Sequence, residues 1–194
     1  MLSARAAKRS ADVLINSERA WLVVSKVHSA GIFPMPGRMP ASNKFVFDLT
    51  NCGKTVARLT GPYQARFHIV DIIKGDKLED RPTYNVRKDI VESIPASAEY
   101  GQLMAPGETT TREFTLFELQ CEITPEILEA INDQRSVLFF YASFKYFDFA
   151  PEERELRFCY AFIPGVPNVE SAGDMLVSLG GWELSGPKEY NKHT

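Results

Sequence analysis

Ser136–Phe147 reads SVLFFYASFKYF and Glu155–Ile163 reads ELRFCYAFI. Both stretches are dominated by aromatic and branched side chains that suit a pleated surface. Asp148–Arg154 lies between them and gives the chain room to turn, so the pair is predicted as an antiparallel hairpin. Ser136–Phe147 is apolar at odd and even positions alike. It is therefore predicted as a central strand, covered on both faces.

A hairpin with two apolar faces needs covering layers, and the flanking sequence supplies candidates. Upstream, Thr124-Pro125-Glu126 carries the signals of a helix start: a hydroxyl for the N-cap, proline at the first helical position and an acid at the positive end. Ile127, Leu128 and Ile131 give that helix its apolar side, and Asn132-Asp133 ends it. Glu108–Ile123 is strand-like through Phe114, Leu116 and Leu119. Gln64–Ile73 is a strand with Phe67, Ile69 and Val70 as its buried members, and Gly61-Pro62 separates it from a shorter strand, Thr55–Thr60. Asn43–Thr50 alternates, with Phe45, Phe47 and Leu49 inward. Asn51-Cys52-Gly53-Lys54 then reads as a turn, because Asn and Gly tolerate positive φ. Arg19–His28 is a strand with Trp21, Val23 and Val27 on one face and Leu22, Val24 and Lys26 on the other.

Two stretches lose all periodicity. Ser29–Ser42 holds Pro34, Pro36 and Pro40 and must be loop. Lys74–Gly107 is a long excursion, with a short strand or helical turn near Val86–Ile94. After Pro164 only Met175–Leu179 or Trp182–Leu184 offers an edge strand. Short strands, frequent turn signals and one small helix predict a mainly β, antiparallel two-sheet β-sandwich of the immunoglobulin-like kind, spanning residues 19–194. Residues 1–18, rich in Ala, Arg and Lys, are predicted as a helical extension outside its core.

Composition narrows the function classes. The chain has 194 residues, 24% of them charged, and a net charge of −3. A nucleic-acid binder normally carries a strongly basic face, so nucleic acid is not expected as a partner. The acid-rich stretch Glu108–Asp133, with Arg112 its sole base, reads as a solvated face. Cys52, Cys121 and Cys159 are odd in number and widely spaced, which argues for free thiols rather than disulfides or a zinc module. The longest apolar runs, Val137–Ala142 and Phe158–Ile163, fall far short of the roughly twenty residues of a membrane-spanning helix.

No motif for catalysis, metal or cofactor stands out. His28, His68 and His193 lack cysteines or carboxylates at ligand spacing. Cys52 lacks an evident base. Gly53-Lys54-Thr55 echoes the end of a phosphate loop, but Asp48 stands where the first glycine belongs and a strand follows. The aromatics of the hairpin read as core. The candidate partner surface consists of Ile32, Phe33, Met35 and Met39 in the proline-rich loop, together with Trp182 on the edge strand. These observations favour a non-catalytic binding or interaction domain with a protein partner. A structural part of a larger assembly, phage or secretion related, is an alternative. A hydrolase would require His68 or His28 to cluster with Cys52 or an acid such as Asp71.

Several short motifs also resemble a group of uncharacterised bacterial proteins. These are Glu18-Arg19-Ala20-Trp21-Leu22-Val23-Val24, then Leu49-Thr50-Asn51-Cys52-Gly53-Lys54-Thr55-Val56-Ala57, Tyr146-x-Asp148, Arg157-Phe158-Cys159-Tyr160 and Tyr190-Asn191. The resemblance implies a β-sandwich of unknown activity, usually preceded by transmembrane helices and a charged, Ala-rich linker. This sequence departs from the pattern in having Val56 where proline is usual and no membrane helix. Either Met1 is internal to a longer reading frame, or this is a soluble version. Arg5, Lys8 and Arg9 beside a lost membrane helix would place the domain in the bacterial cytoplasm or on the cytoplasmic face of the inner membrane.

Overall fold

The computed structural model describes residues 18–30, 44–84, 101–116, 119, 121–149, 151–164 and 180–193. Its strands are β1 (Leu22–Ala30), β2 (Lys44–Asn51), β3 (Ala57–Asp71), β4 (Leu103–Met104), β5 (Thr109–Thr115), β6 (Ser136–Phe147), β7 (Arg154–Pro164) and β8 (Gly180–Leu184), with helix α1 at Pro125–Asn132. A three-stranded sheet runs β1-β2-β5 and a five-stranded sheet runs β4-β3-β6-β7-β8. Every pairing is antiparallel. The architecture is a two-sheet β-sandwich.

The core lies where the inner faces of the sheets meet. Phe45, Phe47 and Leu49 of β2 are fully buried against Leu138, Phe140 and Phe144 of β6. Phe45 stacks on Phe140 at 3.7 Å between ring centroids, and Phe47 meets Phe158 edge to face at 5.1 Å. Each such ring contributes roughly 2–3 kcal/mol through the apolar area it removes from water. β6 is central, flanked by β3 and β7, as its two apolar faces require. Arg154 and Asp148, whose side chains are 9% and 0% exposed, pair at 3.0 Å across the turn of the β6–β7 hairpin. α1 starts as expected: Thr124 accepts from the Ile127 amide, Pro125 opens the helix, and Ile131 is buried.

Two bulges depart from the sequence reading. Gly61-Pro62 does not end a strand, because β3 runs unbroken through fifteen residues. The register of β3 against β6 shifts between Thr60 and Gln64. A bulge there accommodates a proline, which has no N–H to give the ladder. In β1 the register shifts between Ser25 and His28, and Lys26 adopts a φ of +50°. The bulge reverses the alternation. Leu22 and Val24 face the core and Val27 joins them, while Val23 is exposed. Lys26 instead turns outward to pair with Asp48 at 3.2 Å. Strict alternation across the whole strand is therefore corrected. The predicted helical extension, apart from Glu18, falls outside the described residues, as does Val86–Ile94.

Candidate functional site

The outer face of the five-stranded sheet carries a second, smaller core. Tyr141, Cys159 and Tyr190 are buried there, with Leu78, Tyr84 and Phe139 packed against them. Tyr141 and Phe139 alternate with the inward residues of β6, so they point outward by the period of the strand. Two irregular segments cover them. One is 76–84, which follows β3. The other is 185–193, which follows β8 and includes a short 3₁₀ turn at Lys188–Tyr190.

Hydrogen bonds fix both segments. The Tyr141 hydroxyl donates to the Thr83 carbonyl at 2.8 Å, and Arg66 donates to the Thr83 hydroxyl at 2.6 Å. The Tyr190 hydroxyl donates to the Arg81 carbonyl at 3.4 Å, which ties one segment to the other. Asn191 accepts from the Cys159 amide at 2.9 Å and donates to the Ser185 carbonyl at 2.6 Å. Lys192 and Arg157 exchange backbone hydrogen bonds at 2.7 and 3.2 Å, so the chain resumes pairing beside β7 beyond the end of β8.

Between the two segments lies an open groove of about 650 Å³, lined by Asp80, Arg81, Pro82, Tyr84, Arg157 and Glu189. Arg157 rises from β7 and is held by Glu155 at 2.7 Å, while Glu155 also accepts from the Ser143 hydroxyl at 2.6 Å. The Glu155 carboxylate keeps the Arg157 guanidinium charged and raises its pKa further. Burial pushes the Tyr84 phenol well above its ordinary value. Nothing here is a nucleophile beside a base. The groove offers cations, carboxylates, an aromatic ring and a proline edge.

The motif residues meet elsewhere, at one end of the sandwich. Asn51 is completely buried, and its side chain makes four hydrogen bonds. It accepts from the amides of Trp21 at 3.3 Å and Gly53 at 3.0 Å. It donates to the carbonyls of Thr55 at 2.8 Å and Met104 at 2.9 Å. The Cys52 and Lys54 amides donate to the Trp21 and Arg19 carbonyls, and Lys54 pairs with Glu18 at 2.7 Å. A Cβ on Gly53 would lie 2.5 Å from Ala20 Cα and 2.6 Å from Trp21 N, and closer still to the Arg19 carbonyl. Neither Asn51 nor Gly53 has a positive φ. Close approach of the backbones, not turn geometry, requires this glycine. The Tyr146 hydroxyl lies 3.4 Å from the Ala20 carbonyl and 2.8 Å from His193 Nε2, and Trp21 packs edge to face on His193 at 4.6 Å. The motifs at 18–24, 49–57 and 146–148 thus interlock as scaffolding.

The remaining sequence candidates are placed as follows. Ile32, Phe33, Met35 and Met39 lie outside the described residues. Trp182 is half-buried in β8, and its ring packs edge to face on Phe45 at 4.8 Å and on Phe162 at 5.5 Å. His28 pairs opposite Val46, far along β1 from Cys52, which sits beside Trp21. His68 lies on β3 in the other sheet, where burial lowers its pKa, and Asp71 holds Lys74 at 3.1 Å. The cluster that hydrolysis would need is not assembled among these residues. Among the described residues no group of three or more His, Cys, Asp or Glu is placed to hold a metal ion, and no helix is long and apolar enough to cross a membrane.

The thiols differ in reactivity. Cys52 is exposed, whereas burial pushes Cys121 up to about 11 and Cys159 up to about 12. Only a thiolate attacks an alkylating reagent. Native alkylation at neutral pH is expected to label Cys52 first and to reach Cys159 only on unfolding. Peptide mass mapping against time checks this order.

Residue-pattern reasoning missed the groove and the role of His193. The groove draws on residues near 80, 157 and 189, and no local pattern links them. His193 had a faint signal in its neighbours Tyr190-Asn191. No protein-family model and no curated protein matches the sequence. Among solved structures, the chain is similar to one described as a candidate ApaA protein from Bordetella pertussis. The two share 17% identity over 73% of this chain and 94% of that one, with a TM-score of 0.35, too slight a likeness to transfer fold or function.

Proposed function

We propose that this chain is a non-catalytic binding domain that takes an extended segment of a protein partner in the groove beside Tyr84 and Arg157. The groove itself carries the reading: an open channel of about 650 Å³ lined by both signs of charge, an aromatic ring and a proline. Arg81 and Arg157 suit carboxylates and peptide carbonyls, and Asp80 and Glu189 suit amides and cationic side chains. Tyr84 and Pro82 offer an apolar wall on which a peptide side chain can pack. A polyanion would meet these acids unfavourably, which agrees with the net charge of −3.

Selection of displayed random peptides against the whole chain tests the reading. Enriched peptides should bind Arg81→Ala and Tyr84→Ser at least about tenfold more weakly by calorimetry, the loss of one good contact. Equal binding by wild type and both variants, or no enrichment at all, removes the groove as the binding site.

A further inference from the structure

The segment after β8 forms one wall of the groove through Glu189, and its far end carries an imidazole that packs against the end of the sandwich. Gly186, at a φ of +88°, begins the segment as a turn that a side chain would strain. Tyr190 anchors its middle against Tyr141, edge to face at 4.9 Å. His193 anchors its end, 2.8 Å from the Tyr146 hydroxyl and 4.6 Å from the Trp21 ring, and pairs opposite Leu156. We propose that Gly186–His193 is a strap whose docking is set by the charge of His193. The neutral imidazole locks it, and the imidazolium releases it together with the Glu189 wall of the groove.

Among the described residues, the surroundings of His193 hold no acid that is free of another partner. The charged groups of the described elements around it are Glu18 and Arg19 before β1, Lys145 in β6 and Asp148 after it, Arg154, Glu155 and Arg157 in β7, and Lys192 in the strap itself. The acids are already engaged: Glu18 with Lys54, Asp148 with Arg154 and Glu155 with Arg157. Burial lowers the His193 pKa. The hydrogen bond to Tyr146 survives protonation as a donation from Nε2, and the Trp21 ring attracts a cation weakly. Neither fully replaces the hydration that a half-buried imidazolium loses.

The sign follows from linkage. A histidine held below its ordinary value of 6.5 binds its proton more readily once the strap is free. Docking is fully favourable above about pH 6.5 and weakens as pH falls from there through the lowered value. Apart from His193, the strap is tied to β7 by the Lys192–Arg157 backbone pair, by Asn191 on the Cys159 amide and by the Arg157 guanidinium donating to the Glu189 carbonyl at 3.4 Å, so its release near His193 is expected to be partial.

The role of the strap rests on the groove reading, but its release is measured without any ligand. In hydrogen exchange of the full chain, corrected for the intrinsic pH effect, amides of 186–193 should exchange severalfold faster relative to β6 at pH 5.5 than at pH 7.5. In His193→Gln, which keeps a hydrogen-bonding group but does not titrate, this pH difference should vanish. Equal pH dependence in wild type and variant overturns the proposal. A wild-type NMR titration guards against a variant that folds poorly. The Tyr190 ring signals should move with the same midpoint as the His193 imidazole, and Tyr190 signals that stay fixed while His193 titrates also overturn it. Absence of peptide binding at every pH would count against the groove reading and would leave these two results standing.

Discussion

Asn51→Leu is expected to cost about 4 kcal/mol of folding stability, enough to lower the unfolding midpoint by about 10 °C in a domain of this size. The side chain is 0% exposed and satisfies two backbone amides and two backbone carbonyls at once. Leucine fills a similar volume, so little of the loss comes from a cavity. The cost lies in the orphaned groups of Trp21, Gly53, Thr55 and Met104, each worth about 1–3 kcal/mol when left dry. Urea denaturation reads the difference as a shift in midpoint at constant slope. A loss below about 1 kcal/mol would mean that water enters the knot and replaces the amide. Asn51→Asp separates the two halves of the role. Its carboxylate still accepts from Trp21 and Gly53 but faces the two carbonyls as a charge, so part of its deficit should be recovered on acidification as the protonated group donates.

Gly53→Ala is expected to cost about 3 kcal/mol through overpacking alone. The new methyl would sit 2.5 Å from Ala20 Cα and 2.6 Å from Trp21 N, and these are backbone atoms with no rotamer to change. Relief requires the segment before β1 to move away from the end of β2. That motion would stretch the Cys52–Trp21 and Lys54–Arg19 backbone bonds, now at 2.7 and 3.2 Å. Asn51 and Gly53 share those partners, so the two substitutions should be less than additive. Additive losses in the double variant would show that the knot is two independent contacts. A Gly53→Ala protein as stable as wild type would show that the two backbones part without cost.

Much of the scaffold was legible in the residues. The hairpin of β6 and β7 announced itself because a strand covered on both faces has no polar positions to confuse its reading. Thr124-Pro125-Glu126 marked the start of α1, because capping depends on the neighbouring few residues alone. The bulges were not legible. Whether Lys26 leaves the ladder depends on what Asp48 offers across the sheet, and whether Pro62 breaks β3 depends on the register of β6. Gly53 was read as a turn residue when its cause is a neighbouring backbone thirty residues away in sequence. The groove was hidden for the same reason at longer range. Tyr84 and Arg157 carry no signal until β3, β6 and β7 are side by side.

The strap also orders events in time. Asn191 supplies the acceptor of the Cys159 amide and His193 a second partner of the Tyr146 hydroxyl, so both contacts wait for the segment synthesised last among the described residues. At the roughly 5–20 residues per second of translation, the hairpin leaves the ribosome seconds before the later of its two covers does. During that interval only 76–84 is available to cover the outer face of the five-stranded sheet, and the side of Tyr141 that Tyr190 closes stands open. A chain truncated after β8 would keep the core between the sheets but leave Tyr141 without its Tyr190 neighbour and the Cys159 amide without its Asn191 acceptor.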